Sequence, residues 1–348
     1  MYTYPVKNQK GMALLLVISL VSVLAMVTLQ FSRTMRQDYI VSAGLKNSVK
    51  LGEMARSGIV IGEQMLLLDL EENEFDSHYD SWAKLADEDF TSLFNEGNLT
   101  IHVADETGKF QINAMVIRKK EGQKPKNKEE NDKKAQRERD IRNVLWRLLR
   151  AEPFLVEDAI ARGIIDSLID WIDSGDGDGE EEYGAEESYY QSLTPPYSCK
   201  NGPVESIREL LQVKGITPEL LYGTEEKPPL APLLTVLGDD GKININSADI
   251  LLLQALANDI SKSVAENMVE FREDEENQDQ LANRQWYKQV PSFPGDIADT
   301  IKKQDLTTVV STYFSINATA ALTTQEKTIT ATVQREDKET TILRWDSE

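Results

Sequence analysis

Residues 10–31 read KGMALLLVISLVSVLAMVTLQF, and over 12–31 no side chain carries a charge. Twenty helical residues rise about 30 Å, enough to cross the hydrocarbon core of a bilayer. The run is longer than the apolar part of most secretory signals. Arg33 and Arg36 follow it, where a cleaved signal would show a small-x-small site. A membrane anchor therefore fits better than a removed signal. Lys7 and Lys10 precede the run, so two bases lie on each side and the positive-inside rule does not orient it. The acidic bulk of the chain lies C-terminal to it.

Lys10-Gly11-Met12, a Gly between a short basic leader and an apolar helix, resembles the cleavage site of type IV prepilins. In that family a peptidase on the cytoplasmic face cuts after the Gly and methylates the new amine. The resemblance implies that 1–11 is a prepilin leader, that Gly11 and Met12 flank the processed bond, and that the mature chain starts at Met12. A plain uncleaved anchor is the alternative. Most pilins carry Glu at mature position five, where this chain has Leu16. In the family that Glu is thought to neutralise the amine of a neighbouring subunit. A carboxylate inside a bilayer is costly and is kept for a reason. A subunit with no neighbour above it has no amine to pair, which points to the end of a fibre.

The 348 residues carry 59 acids and 38 bases, a net charge of −21. That balance disfavours phosphate neutralisation on nucleic acid and spreading on anionic lipid, and it suits cations. The single cysteine, Cys199, excludes an intrachain disulfide and a Cys-rich zinc site. His78 and His102 leave little material for a His-centred active site. G-x-S-x-G, H-E-x-x-H and G-x-x-x-x-G-K are absent from the sequence, so an enzyme is not expected.

Beyond the apolar run, Met35, Tyr39, Leu45, Val49, Met54 and Ile59 keep helical spacing to about residue 70. Gly44, Gly52, Gly58 and Gly62 weaken that pattern, each by roughly 1 kcal/mol against Ala. One long helix is expected, its second half packed on a head. Leu99, Ile101 and Val103 alternate, a turn follows at 105–108, and Phe110 and Ile112 alternate after it, which reads as a β-hairpin. Alternation returns at 314–322, 329–333 and 341–345, with Arg335-Glu336-Asp337-Lys338 as a turn. The fold class is thus α+β: a long N-terminal helix with an antiparallel sheet head at 32–117 plus 309–348, interrupted by an inserted all-α domain at 118–308. Residues 118–140 mix both charges densely and read as a charged linker. Residues 141–149 and 153–172 read as amphipathic helices within a first part, 141–235.

These features in this order resemble the minor pseudopilin K family of type II secretion, also called general secretion pathway protein K. The local matches are Gly108-Lys109-Phe110-Gln111-Ile112-Asn113 and Leu168-Ile169-Asp170-Trp171-Ile172-Asp173, then Gly184-Ala185-Glu186 and Tyr189-Tyr190. Pro195-Pro196-Tyr197, Val204-Glu205-Ser206-Ile207-Arg208-Glu209-Leu210 and Gly241-Lys242-Ile243-Asn244-Ile245-Asn246-Ser247-Ala248 continue the series. The resemblance implies a pilin-like head with an inserted helical domain that binds calcium. It implies a single pass through the bacterial inner membrane with the bulk in the periplasm. It also implies a place at the tip of a fibre beside minor pseudopilins I and J, with the major pseudopilin and prepilin peptidase as further partners.

From Asp166 to Glu187 there are ten carboxylates and neither Lys nor Arg. An EF-hand counted from Asp176 fails at its sixth position, where Glu181 stands in place of Gly. Composition alone is met by a solvated acidic loop. With the resemblance, the expectation is a non-EF-hand calcium site built from Asp173, Asp176, Asp178, Glu186 and Glu187, with Asp170 and Glu182 as second choices. Tyr183, Tyr189, Tyr190 and Tyr197 flank it and read as core packing. Residues 236–308 also resemble a helix-hairpin-helix module, and a membrane-anchored DNA-uptake receptor is the competing function. Its hairpin, Ala257-Asn258-Asp259-Ile260, lacks the Gly that lets backbone approach phosphate, and Asp259 would repel it.

Overall fold

The computed structural model describes residues 10–117, 128–174, 181–323, 325–336 and 339–347. Helix α1 (Lys10–Glu72) is continuous for 63 residues, about 95 Å at 1.5 Å per residue. Its N-terminal part is long and apolar enough to cross a membrane, and its side chains there are exposed. From Leu51 onward the helix has a buried face: Leu51, Met54, Ala55, Ile59 and Leu66 lie against a sheet.

That sheet has the order β1-β6-β7-β8, from β1 (Asn98–Asp105), β6 (Tyr313–Leu322), β7 (Gln325–Glu336) and β8 (Glu339–Ser347), all neighbours antiparallel. Leu99, Ile101, Phe314, Ile316, Ala318, Ile329, Ala331 and Val333 alternate inward and form one core with α1. The helix glycines sit on this contact. A Cβ on Gly58 would stand 2.7 Å from Ala318 Cβ, and one on Gly62 would stand 2.8 Å from Ile316 Cγ2. The residues that weaken the helical pattern are the ones that let helix and sheet touch.

The expected hairpin is not formed. β1 pairs along its length with β6, while β2 (Phe110–Gln111) runs parallel to β3 (Leu234–Thr235) in a separate two-stranded piece. Phe110 and Gln111 are both buried, whereas β1 buries one face only. The chain turns out of the head at Gly108, where a Cβ would collide with Ser247. Arg335 is likewise not in a turn: it is the eleventh residue of β7 and is buried.

A second, larger core holds α2 (Lys128–Arg150), α3 (Asp158–Ile172), α4 (Glu187–Gln191), α5 (Pro218–Tyr222), α6 (Ile250–Ala255), α7 (Lys262–Glu273) and α8 (Gly295–Gln304). Phe110, Ile112 and Met115, grouped with the head in the sequence reading, pack here. The unit is not purely helical, since β4 (Ile243–Asn244) pairs in parallel with β5 (Thr307–Thr308) beside the β2–β3 pair. Residues 128–140, read as linker, are the first half of α2. Their mixed charge is helix surface: Glu129 pairs with Lys133 and Lys134 with Glu138, each at i,i+4 spacing. The second half buries Ile141, Val144, Leu145, Leu148 and Leu149.

Candidate functional site

Gly11 and Met12 lie in the first turns of α1, where Met12 is 62% exposed. Leu16 stands on the same exposed apolar surface, its carbonyl accepting the Ser19 hydroxyl. The bond expected to be cut is therefore followed at once by bare helix.

The acidic segment is built on the C-terminal end of α3. The helix face that buries Ile165, Leu168, Ile169 and Ile172 also carries Asp170, which has no solvent exposure. Its carboxylate is a fixed acceptor: Glu181 N–H donates to Oδ1 at 3.1 Å and Ala185 N–H to Oδ2 at 2.7 Å. Gly184 lies flat on that carboxylate, and any Cβ there would collide with it. Burial pushes the Asp170 carboxyl up to about 6, and the Glu186 and Asp173 charges act in the same direction.

Glu187 opens α4 and takes the Cys199 N–H on Oε2 at 2.7 Å and the Gln191 amide on Oε1 at 2.8 Å. The Cys199 bond, with the Gln191 bond behind it, holds its carboxyl below the usual range. The Cys199 thiol is pushed up to about 11 by burial, with Glu186, Asp170 and Glu187 adding to it. Lys214 Nζ closes the far side on the Gly184 carbonyl at 2.8 Å.

Asp173, Glu186 and Glu187 are thus brought around Asp170, which moves from second choice to centre. Helical periodicity carried that signal, because Asp170 falls on the apolar face of α3. Glu182 points outward and hydrogen-bonds the Tyr183 hydroxyl. Asp176 and Asp178 lie outside the described residues. The donors gathered here are carboxylate oxygens of like charge, a set that fits a hard cation taking six to eight oxygens.

Among the flanking tyrosines, Tyr190 is buried edge-on against Trp171 at 5.1 Å between centroids, and Tyr197 donates to the Gln212 carbonyl at 2.8 Å. Tyr183, expected in the core, is 49% exposed. In the helix-hairpin-helix-like part the cations turn inward. Arg147 donates to the Ala255 and Leu256 carbonyls at 2.6 and 2.9 Å, and Arg272 to those of Ile245 and Ala248. Guanidiniums spent on helix ends are not offered to phosphate.

One polar cluster escaped the sequence reading. Where the chain crosses between the two units, Asp69, Asp76, Asp80 and Asp105 are buried with Arg335. Arg335 reaches Asp69 Oδ2 at 3.2 Å and Asp76 Oδ1 at 2.5 Å. Asn244, from the helical unit, donates to the Asp76 carbonyl, Asp105 and Ser311 at 3.2, 3.0 and 2.7 Å. Trp286 Nε1 donates to Asn246 at 2.8 Å and fixes the neighbouring amide. Asp105 and Arg335 were hidden because each sits in a charged run that reads as a turn. Ile243-Asn244-Ile245-Asn246, alternating Ile with Asn, was the available sign of buried amides.

The family model described as Type II secretion system (T2SS), protein K, matches residues 108–239. "Type II secretion system protein K" of Pseudomonas aeruginosa is 24% identical over 337 residues, covering 94% of this chain and 90% of the relative. The protein of that name from Aeromonas hydrophila is 28% identical over 243 residues, 69% of this chain and 68% of the relative. Among solved structures, a chain of the GspK-GspI-GspJ complex from the enterotoxigenic Escherichia coli type 2 secretion system aligns with TM-score 0.65. That alignment covers 88% of this chain and 99% of the other at 19% identity, a likeness of fold.

Proposed function

We propose, from the premise that this chain belongs to the protein K family of type II secretion systems, that it is a minor pseudopilin at the tip of the secretion pseudopilus. There it assembles with minor pseudopilins of the I and J types and with the major pseudopilin, and supports export across the outer membrane. The observation that carries this reading is α1 itself. Its exposed apolar half passes without interruption into a half seated on a four-stranded sheet. Such a helix can lie in the inner membrane before assembly and among other helices after it, with the bulk of the chain in the periplasm. Leu16 in place of Glu, and the large helical unit, support a place with nothing stacked above. The role is mechanical rather than enzymatic. The test is the mass of the N-terminal peptide from protein extracted from its native membrane. Loss of eleven residues with a methylated Met12 is expected. An intact Met1 in cells with active prepilin peptidase would mean a static anchor.

The acidic segment is the proposed calcium site. Asp173, Glu186 and Glu187 would supply oxygens with Asp176 and Asp178, over the buried Asp170. Calcium there offsets carboxylate repulsion and stabilises the folded chain by mass action. A hundredfold excess over its dissociation constant corresponds to about 2.7 kcal/mol. EDTA is expected to lower the thermal midpoint of the full chain in detergent, and excess calcium to restore it. An unchanged midpoint removes calcium from this reading. The DNA-receptor reading is not favoured, since Arg147 and Arg272 are engaged on backbone carbonyls.

A further inference from the structure

We propose that the seam between head and helical unit is a proton-linked latch, closed by one proton held on Asp80 among the Asp69, Asp76 and Asp80 carboxylates, and loosened when that proton leaves.

The argument begins with the charges at the seam. Asp69, Asp76 and Asp80 each bring a carboxylate oxygen within 4.8 Å of the others, and all three are buried. Asp105 is buried on the other side of Ser311. Every element packed here contributes a known group. The end of α1 brings Asp69 and, just past it, Asn73. The following loop brings Asp76, Ser77 and Asp80, and β1 brings Asp105. The lead into β6 brings Ser311, and β7 brings Arg335. The helical unit brings Asn244, Asn246 and Ser247, all uncharged. Arg335 is thus the one cation the described residues set against four carboxylates. His78, next in the chain, faces Arg272, Glu273 and Lys84 instead. Burial, with Arg272 and Lys84 acting the same way, holds its imidazole low and neutral near pH 7.

The hydrogen bonds show which carboxylate carries the proton. Asp105 accepts from Ser247 and from Ser311 at 2.6 Å, from Asn244 at 3.0 Å and from the Thr107 N–H at 2.7 Å, a donor set for an ionised group. Asp76 takes Arg335 and, at 2.7 Å, the Ser311 N–H. Asp69 takes Arg335 and, at 2.8 Å, the Asn73 amide. Asp80 is supplied on one oxygen only, by the Ser77 N–H at 2.6 Å. Its Oδ1 has only the Ser77 hydroxyl at 3.4 Å and the Asn73 amide at 3.5 Å. Protonated, that oxygen becomes a donor facing its acidic neighbours. Burial, reinforced by the Asp69 charge, holds the Asp80 carboxyl up at about 6.

The same loop carries the bolts of the seam. Asp76 N–H donates to the Val309 carbonyl at 2.8 Å, and the Asp76 carbonyl accepts from Asn244 and Asn246. Ionising Asp80 adds a buried negative charge that water relieves, and the loop opens to reach it. The sign follows from a raised carboxyl. Its contribution is full below the unfolded value near 3.8 and is lost as pH rises through about 6. The seam is therefore tight in mild acid and loose toward pH 7.5.

Amide hydrogen exchange of the full chain in detergent micelles tests this between pH 5.5 and 7.5, after correction for intrinsic rates. Protection of the Ser77, Thr107 and Ser311 amides is expected to fall roughly twentyfold across that range, following a single group titrating near 6. Amides inside α3 serve as the reference and stay level. In Asp80→Asn, where the amide keeps the Ser77 bond and cannot ionise, protection at the seam stays high throughout. Wild-type protection that is flat or rises with pH overturns the latch, as does an Asp80→Asn profile that falls like wild type. Should the variant not fold, the wild-type profile alone decides.

Discussion

Replacing Arg335 by Met is expected to destabilise the full chain by about 3–5 kcal/mol in denaturant unfolding near pH 7.5. The guanidinium is buried and holds Asp69, Asp76 and the Leu66 and Ser311 carbonyls. It also lies 4.7 Å from the centre of the Phe314 ring. Methionine keeps the stem's packing and removes every donor, leaving two carboxylates in a dry seam without their cation. Breaking one side of a buried pair costs more than the pair contributes, because the remaining charge is stranded. Against a total stability of about 5–15 kcal/mol, a loss of this size unfolds much of the population. The cost should shrink in mild acid, where the stranded carboxylates take up protons. A loss below about 1 kcal/mol at pH 7.5 would mean that water reaches the cluster and that the seam is not dry.

Gly184→Ala is the second large effect, about 2–4 kcal/mol. The added methyl collides with the Asp170 carboxylate. Relief requires lifting 181–185 off the end of α3, which breaks the Glu181 and Ala185 hydrogen bonds to Asp170. Overpacking a tight site costs about 1–3 kcal/mol. A hydrogen bond to a charged group contributes about 1.5–3. Gly163→Ala is the control, because its Cβ would come no closer than 3.8 Å to Tyr183 O and it lies inside α3. There the change should be neutral or stabilising by up to about 1 kcal/mol. If the calcium reading holds, Gly184→Ala also reduces the shift in midpoint that calcium produces, while Gly163→Ala leaves it intact. Equal effects of the two changes would separate the loop geometry from both stability and calcium.

The parts of the fold legible in the sequence were those written as a period. The charge-free run and the helical spacing after it gave α1, and strict alternation gave the inward faces of β6, β7 and β8. Alternation does not name a strand's partner, so β1 was paired with Phe110 and Gln111 when its neighbour is β6, two hundred residues on. Charge density misled twice. Residues 128–140 resemble solvated linker until their i,i+4 pairs are seen on a helix, and Arg335 resembles a turn residue until its two aspartates arrive from α1 and the loop after it. At the acidic segment the list of carboxylates was readable, but their ranking was not. Asp170 became central because burial on α3 and two backbone amides fix it, and both are tertiary facts.

The glycine seats on α1 have a geometric consequence. Ala318 and Ile316 rest in notches at Gly58 and Gly62, one helical turn apart. A head held in two successive notches is indexed to the helix like a pawl on a rack, since a shift of one turn would drive Ala318 and Ile316 against full side chains. The charge-free run ends at Phe31 and the seated face begins at Leu51. Twenty residues of helix therefore set a standoff of about 30 Å between the top of the apolar run and the base of the sheet. With α1 unbroken, a displacement of its apolar end arrives at the sheet undiminished, and the height of everything above is set by a count of residues.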